Sequence, residues 1–142
     1  MNGVPAAPRV AAPVAIGAAA RASGVSAKMV RHYEALGLLG AVARTDSGYR
    51  QYRAADVHTL RFIKRARDLG FSMAEIAELV SLWHDRRRAS ADVKRIAQTH
   101  VAELEKRIQA MQDMRRTLQN LLHHCHGDER PDCPILDQLA GG

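Results

Sequence analysis

Cys125 and Cys133 are the only cysteines in the chain, spaced C-x7-C within the stretch CHGDERPDCP. Three readings of such a pair compete: a structural disulfide, two unrelated core thiols, or a clamp for a soft metal. A disulfide calls for an oxidising compartment. A polar loop bearing Gly127, Pro131 and Pro134 is a poor place for core side chains. Two thiolates presented by one loop most naturally grip a soft metal ion. Zinc prefers four ligands, and His123, His124 and His126 lie near enough in sequence to complete a Cys2His2 set. Adjacent residues at a helix end point about 100° apart, however. A monovalent d10 ion such as Cu(I) or Ag(I) is satisfied by two thiolates alone. The histidines also read as favourable cations at a helix C-terminus, so at this level both coordination schemes stay open.

A second chemistry lies in the charge. Between Lys28 and Arg67 stand nine basic residues (Lys28, Arg31, Arg44, Arg50, Arg53, Arg61, Lys64, Arg65, Arg67) and three acids (Glu34, Asp46, Asp56). Nine minus three accounts for the whole net charge of +6 and leaves the rest of the chain neutral. Positive charge confined to one segment is the footprint of a polyanion partner. No nucleophile–base pair, phosphate-cradling glycine loop or carboxylate cluster occurs, so an enzyme is not expected.

The elements that must position these groups follow from local signals. All five prolines lie in the first or last stretch, and the long middle is rich in Ala, Leu, Arg and Glu, which predicts mostly helix. A first helix is expected over about Ile16–Ala22, stopped at Gly24. Ser26 then caps a second over Ala27–Leu36, with Val25, Met29, Tyr33 and Leu36 on its apolar face and Lys28, Arg31 and His32 opposite. Two short helices joined by a glycine turn, the second basic on its outer face, describe a helix-turn-helix.

Residues 44–52 (RTDSGYRQY) read as a hairpin turning at Asp46-Ser47-Gly48, and a hairpin in this place is a wing. A third helix is predicted over about Ala54–Leu69. The fourth opens with a capping box, Ser72 to Glu75, and carries Met73, Ile76, Val80 and Trp83 inward as far as His84. Residues 85–89 form a charged connector. From Ser90, the expected N-cap, to His124 there is neither Gly nor Pro. Ala97, Val101, Leu104, Ile108, Met111, Arg115, Leu118 and Leu122 step along this stretch as a heptad seam of roughly 50 Å, broken once by Arg115. A head this small cannot bury such a seam, so a second copy of the chain is expected to cover it.

The expected fold class is therefore mainly α: a winged helix-turn-helix head (15–84), the connector (85–89), a long antiparallel coiled-coil dimerisation helix (90–124), and a metal-binding loop with a C-terminal tail (125–142). Residues 1–14 read as a disordered tail. The alanine-rich stretch 10–22 resembles a signal peptide only superficially, because it contains Pro13 and runs into the first helix. No apolar run approaches the roughly 18–20 residues of a membrane span. A cytoplasmic protein is expected.

The runs VSAKMVRHYEALGLL, RTDSGYRQY, RFIKRARDLGFSMAEI and SADVKR, followed by the C-x7-C loop, resemble the MerR family in this order and spacing, and most closely its copper-efflux regulators. The likeness spans about Ile16 to Leu136. It implies a homodimer on a pseudo-palindromic operator in double-stranded promoter DNA, bound with or without metal. Metal would bend and underwind that DNA so that RNA polymerase can use the promoter, which is control through DNA deformation. By motif position, Lys28, Arg31 and Tyr33 would lie on the recognition helix, Arg44, Tyr49 and Arg50 on the wing, and Arg67 on the supporting helix. Lys28 and Arg31 are the expected base contacts.

In the metal-sensing branch, Cys125 and Cys133 match the two thiolate ligands. Ser90 matches a position donated by the partner's dimer helix that is serine in sensors of +1 ions and cysteine in sensors of +2 ions. The resemblance therefore implies Cu(I), Ag(I) or Au(I), one per loop, with Lys94 offsetting the net charge of the dithiolate. His126 and Pro131 depart from common copper-sensor loop residues, and gold-responsive relatives share the Cys pair and the serine. A divalent-ion sensor that uses the histidines and a thiol–disulfide redox switch are the alternatives.

Overall fold

The computed structural model of the protein describes residues 12–141. Its elements run α1 (Ile16–Ser23), α2 (Ala27–Ala35), β1 (Ala43–Arg44), β2 (Arg50–Gln51), α3 (Ala54–Asp68), α4 (Met73–His84), α5 (Ser90–His124) and α6 (Pro134–Ala140). The chain divides into two compact units, one up to Val93 and the other from Lys94.

Local chemistry sets the element ends in the first unit. Gly24 takes φ +74° and closes α1, its N–H donating to Ala20 O at 2.9 Å. Ser26 starts α2 by accepting the Met29 N–H at 3.2 Å. Ser72 and Glu75 form the reciprocal box at the head of α4, with bonds of 3.2 and 2.9 Å. β1 and β2 pair antiparallel, Ala43 with Gln51 and Arg44 with Arg50. Their turn is closed by Gly48 N–H on Thr45 O at 2.8 Å, with Gly48 at φ +86°.

α3 lies at the centre and packs against both α1 and α4. Its Leu60 and Ile63 are fully buried, with Val30, Tyr33, Tyr52, Ile76 and Val80 around them.

Several sequence expectations change. The tail does not extend through Val14: that residue pairs with Tyr52, N–H to O in both directions at 2.8 and 2.7 Å. Residues 1–11 of the expected tail lie outside the described residues. The expected apolar face holds at Val25, Met29 and Tyr33, with Val30 buried beside them, but Leu36 is exposed, because the helix ends at Ala35 and Leu36 already belongs to the turn. Trp83 is half-exposed rather than inward. In the last turn of α4, its indole lies on Phe62 with centroids 5.6 Å apart, and the Arg88 guanidinium sits 5.8 Å from its ring centre. The C-terminal tail is helical over Pro134–Ala140. Proline suits the first position there, since its missing N–H would have no helical partner.

α5 covers 90–124 as expected, but Ser90 is its first helical residue and not its cap. The Ala89 carbonyl takes the bond from Asp92 N–H at 3.1 Å. On α5, Val101, Ile108, Met111, Met114, Leu118 and Leu122 are all exposed in the single chain. No helix among the described residues is long and apolar enough to cross a membrane.

Candidate nucleic-acid interface and thiol loop

Burying Val30 and Tyr33 turns the opposite face of α2 outward, and Lys28 and Arg31 stand there exposed. Tyr33 does not reach outward with them. Only 2% of it is exposed, and its hydroxyl accepts a 2.7 Å bond from the Arg67 guanidinium on α3. That bond raises the already high pKa of Arg67 and aims an exposed cation along the mouth of α2. Gly24, Ser26, Tyr33, Lys64, Arg67 and Asp68 border an open cleft of about 340 Å³ at that mouth, where Lys64 is paired with Asp68 at 3.5 Å. Arg67 and the partial positive charge of the helix N-terminus are suited to a phosphate there. Lys64 is thus brought to the candidate interface. In the sequence it was only one of nine basic residues, with no signal to single it out. Arg61 is exposed but engaged: its Nε donates to Ala22 O at 2.9 Å and ties α3 to α1.

The wing carries Arg44 and Tyr49 outward, with Tyr49 74% exposed. Arg50 behaves differently. Its Nε lies 3.0 Å from Oε1 and 2.8 Å from Oε2 of Glu34, an α2 residue that is itself largely buried. The Tyr52 hydroxyl donates to the same carboxylate at 2.9 Å. Burial first, and then the bond to Glu34, push the Tyr52 phenol up to about 12. Glu34 and Tyr52 were not among the expected site residues, because the contacts that matter span 16 and 18 positions.

In the second unit, Cys125 follows directly on α5, its N–H bonded to Leu122 O at 3.2 Å. Cys133 precedes α6, and its carbonyl takes the Asp137 N–H at 3.0 Å. Each end of the loop is therefore anchored to a helix. Both thiols are free and half-buried. Between them the chain turns at Gly127, φ +64°. Asp128 accepts from Arg130 N–H at 2.9 Å and from its Nε at 2.8 Å. The Arg130 guanidinium holds the Asp128 carboxyl below its ordinary range. His124 Nδ1 is engaged with Asn120 O at 2.8 Å, which leaves only Nε2 for another partner. His123 and His126 are exposed. Ser90 and Lys94 are exposed one turn apart in the first turns of α5, at the opposite end of that helix from Cys125.

Residues 14–82 match the family described as MerR HTH family regulatory protein, and residues 57–121 match that described as MerR, DNA binding. The chain is 59% identical over 127 residues to the heavy metal-dependent transcription regulator 2 of Rhizobium meliloti (strain 1021), covering 89% of this chain and 86% of that one. It is 42% identical over 122 residues to the HTH-type transcriptional regulator CueR of Salmonella typhimurium (strain LT2), covering 86% and 88%. Among solved structures, the transcription regulator PbrR691 from Ralstonia metallidurans CH34 in complex with lead(II) superposes with a TM-score of 0.79 at 26% identity, over 89% of this chain and 98% of that one.

Proposed function

The chain belongs to the MerR family of transcription regulators, and from that premise we propose that it is a homodimeric promoter-binding activator switched by a monovalent soft metal ion. The observation that carries the metal reading is the donor set: two free, half-buried thiols on one short loop, each next to a helix end. Two sulfurs meet the full coordination preference of Cu(I), Ag(I) or Au(I) and half that of zinc. Cys125 and Cys133 would hold the ion through their thiolates. Ser90 offers no third thiolate, and Lys94 supplies a positive charge one turn away. Because a 35-residue helix separates Ser90 from the cysteines, these groups meet only if two α5 helices run antiparallel. The exposed stripe of α5 supports a partner helix there.

At the DNA, Lys28 and Arg31 are the groups proposed to read base edges. Arg44, Tyr49 and Arg67 are proposed to hold phosphates of the promoter that RNA polymerase then uses. Replacing Arg31 with alanine is expected to cost about 1–3 kcal/mol of binding to the preferred duplex and much less on random DNA, as for a bidentate base contact. Gel-shift titration on both duplexes checks this, and equal losses would reassign Arg31 to the backbone.

A divalent-ion reading draws support from the lead(II) complex of the PbrR691 structure and from the open Nε2 of His124. Anaerobic competition of Cu(I) and Zn(II) for the reduced dimer, followed by X-ray absorption, separates the two readings. One Cu(I) per loop at two short sulfur distances, unaffected by excess zinc, is expected. Tight zinc with nitrogen ligands would overturn the monovalent assignment. The Ser90→Cys variant is expected to gain affinity for divalent ions in the same assay.

A further inference from the structure

The wing of this protein is too small to hold itself in place. Its two strands have two residues each, and a lone hairpin of this size is marginal in water. Its alignment with α2 must come from contacts outside its own ladder, and the structure has one cluster suited to that. Glu34 projects from the last turn of α2 and is only 16% exposed at its side chain. Both of its oxygens lie against Arg50 Nε, and Oε2 also receives the Tyr52 hydroxyl. Tyr52 in turn is fully buried, with its backbone paired in both directions to Val14. One carboxylate thus joins the recognition helix to the outgoing strand of the wing and, through Tyr52, to the chain entering α1.

We propose that Glu34 is a positioning residue that clamps the wing at a fixed distance from the recognition helix, and that Arg50 serves this clamp instead of contacting a phosphate. The inference rests on the DNA-binding reading and adds to it a division of labour. Arg44 and Tyr49 meet the duplex, while Arg50, one residue along from Tyr49, faces the protein. An acid placed beside a polyanion surface repels it, so a Glu at this position needs a reason. Charge-assisted bonds to Arg50, together with the Tyr52 hydroxyl, provide one. The wing and α2 each present contacts to the duplex, and a hairpin free to swing would have to be ordered on binding, which lowers affinity.

The test exploits a difference of sign. A duplex is first selected from a random pool by the metal-free wild-type dimer, and its affinity is then measured against salt concentration for Glu34→Gln, Arg50→Ala and the double variant. Glu34→Gln removes a negative charge near DNA, yet the clamp predicts weaker binding, by about tenfold. Arg50→Ala is expected to lose a similar factor with an unchanged salt slope, and the double variant to lose no more than either single one. Hydroxyl-radical footprints are expected to show wing protection fading while that of the recognition helix persists. Binding by Glu34→Gln equal to or tighter than wild type would overturn the clamp. So would a slope shallower by about 0.9 per protomer in Arg50→Ala, the mark of a lost phosphate contact. If Glu34→Gln fails to fold, Arg50→Lys decides. It keeps the charge and loses the guanidinium geometry, so weakened binding supports the clamp and wild-type binding sinks it. A wild-type dimer that selects no duplex would overturn the DNA-binding reading and the clamp with it.

Discussion

Serine at either Cys125 or Cys133 is expected to abolish metal-dependent transcription while leaving operator affinity within about threefold of wild type, a change under 1 kcal/mol. The first half of this expectation follows from ligand chemistry. A thiolate binds a d10 ion through a soft, polarisable sulfur, and a serine hydroxyl is neither soft nor ionised near neutral pH. One remaining thiolate then leaves the ion half-coordinated. The second half follows from where the groups lie. Both cysteines belong to the unit beginning at Lys94, whereas Lys28, Arg31, Arg44, Tyr49 and Arg67 all belong to the unit ending at Val93. The loop also has supports that do not involve sulfur, in the Asp128–Arg130 pair and the backbone bonds to Leu122 and Asp137. Run-off transcription with and without Cu(I), paired with gel shifts on the same preparations, gives both numbers. Loss of DNA binding in either serine variant would make the loop a structural brace and not a sensor.

Leu118→Glu is expected to split the proposed dimer and to take specific DNA binding with it. Leu118 is 51% exposed on a single chain, and Ile108, Met111 and Leu122 on the same stripe are exposed to a similar degree or more. Burial against a second copy is worth about 1.5–3 kcal/mol for a leucine side chain. A dimer contains the substitution twice, so the loss is about 3–6 kcal/mol, or about 10²–10⁴ in its dissociation constant. The true figure lies toward the upper end, because each glutamate must also be kept in water or pay desolvation. Arg115, which already interrupts the seam, is expected to tolerate substitution by leucine with a tighter dimer. Sedimentation velocity across a concentration series measures both variants. A Leu118→Glu chain that remains dimeric would place the interface elsewhere.

Much of the fold is legible before any coordinates because its boundaries are local events. Gly24 can take a left-handed φ, Ser26 and Ser72 can cap the amides that follow, and thirty-five residues without Gly or Pro can hardly be anything but α5. The cysteine pair is legible for the same reason, since nine consecutive residues contain it. What stays hidden depends on chain segments that return from far away. Nothing near Arg50 says that it faces Glu34 while Arg44, six residues earlier, faces solvent. Nothing near Tyr33 says that its hydroxyl will be held by Arg67, 34 positions on. Trp83 keeps the helical spacing of an inward residue, yet it lies where the core has already ended, and so it rests on Phe62 half in water. The seven residues of α6 are too few to show a period, and Val14 joins the fold through a strand pairing to a residue 38 positions away. Backbone preferences and caps act over about one turn and are written in neighbouring residues. The partner of a charge is chosen by packing, which sums over the whole chain before any single side chain has a direction.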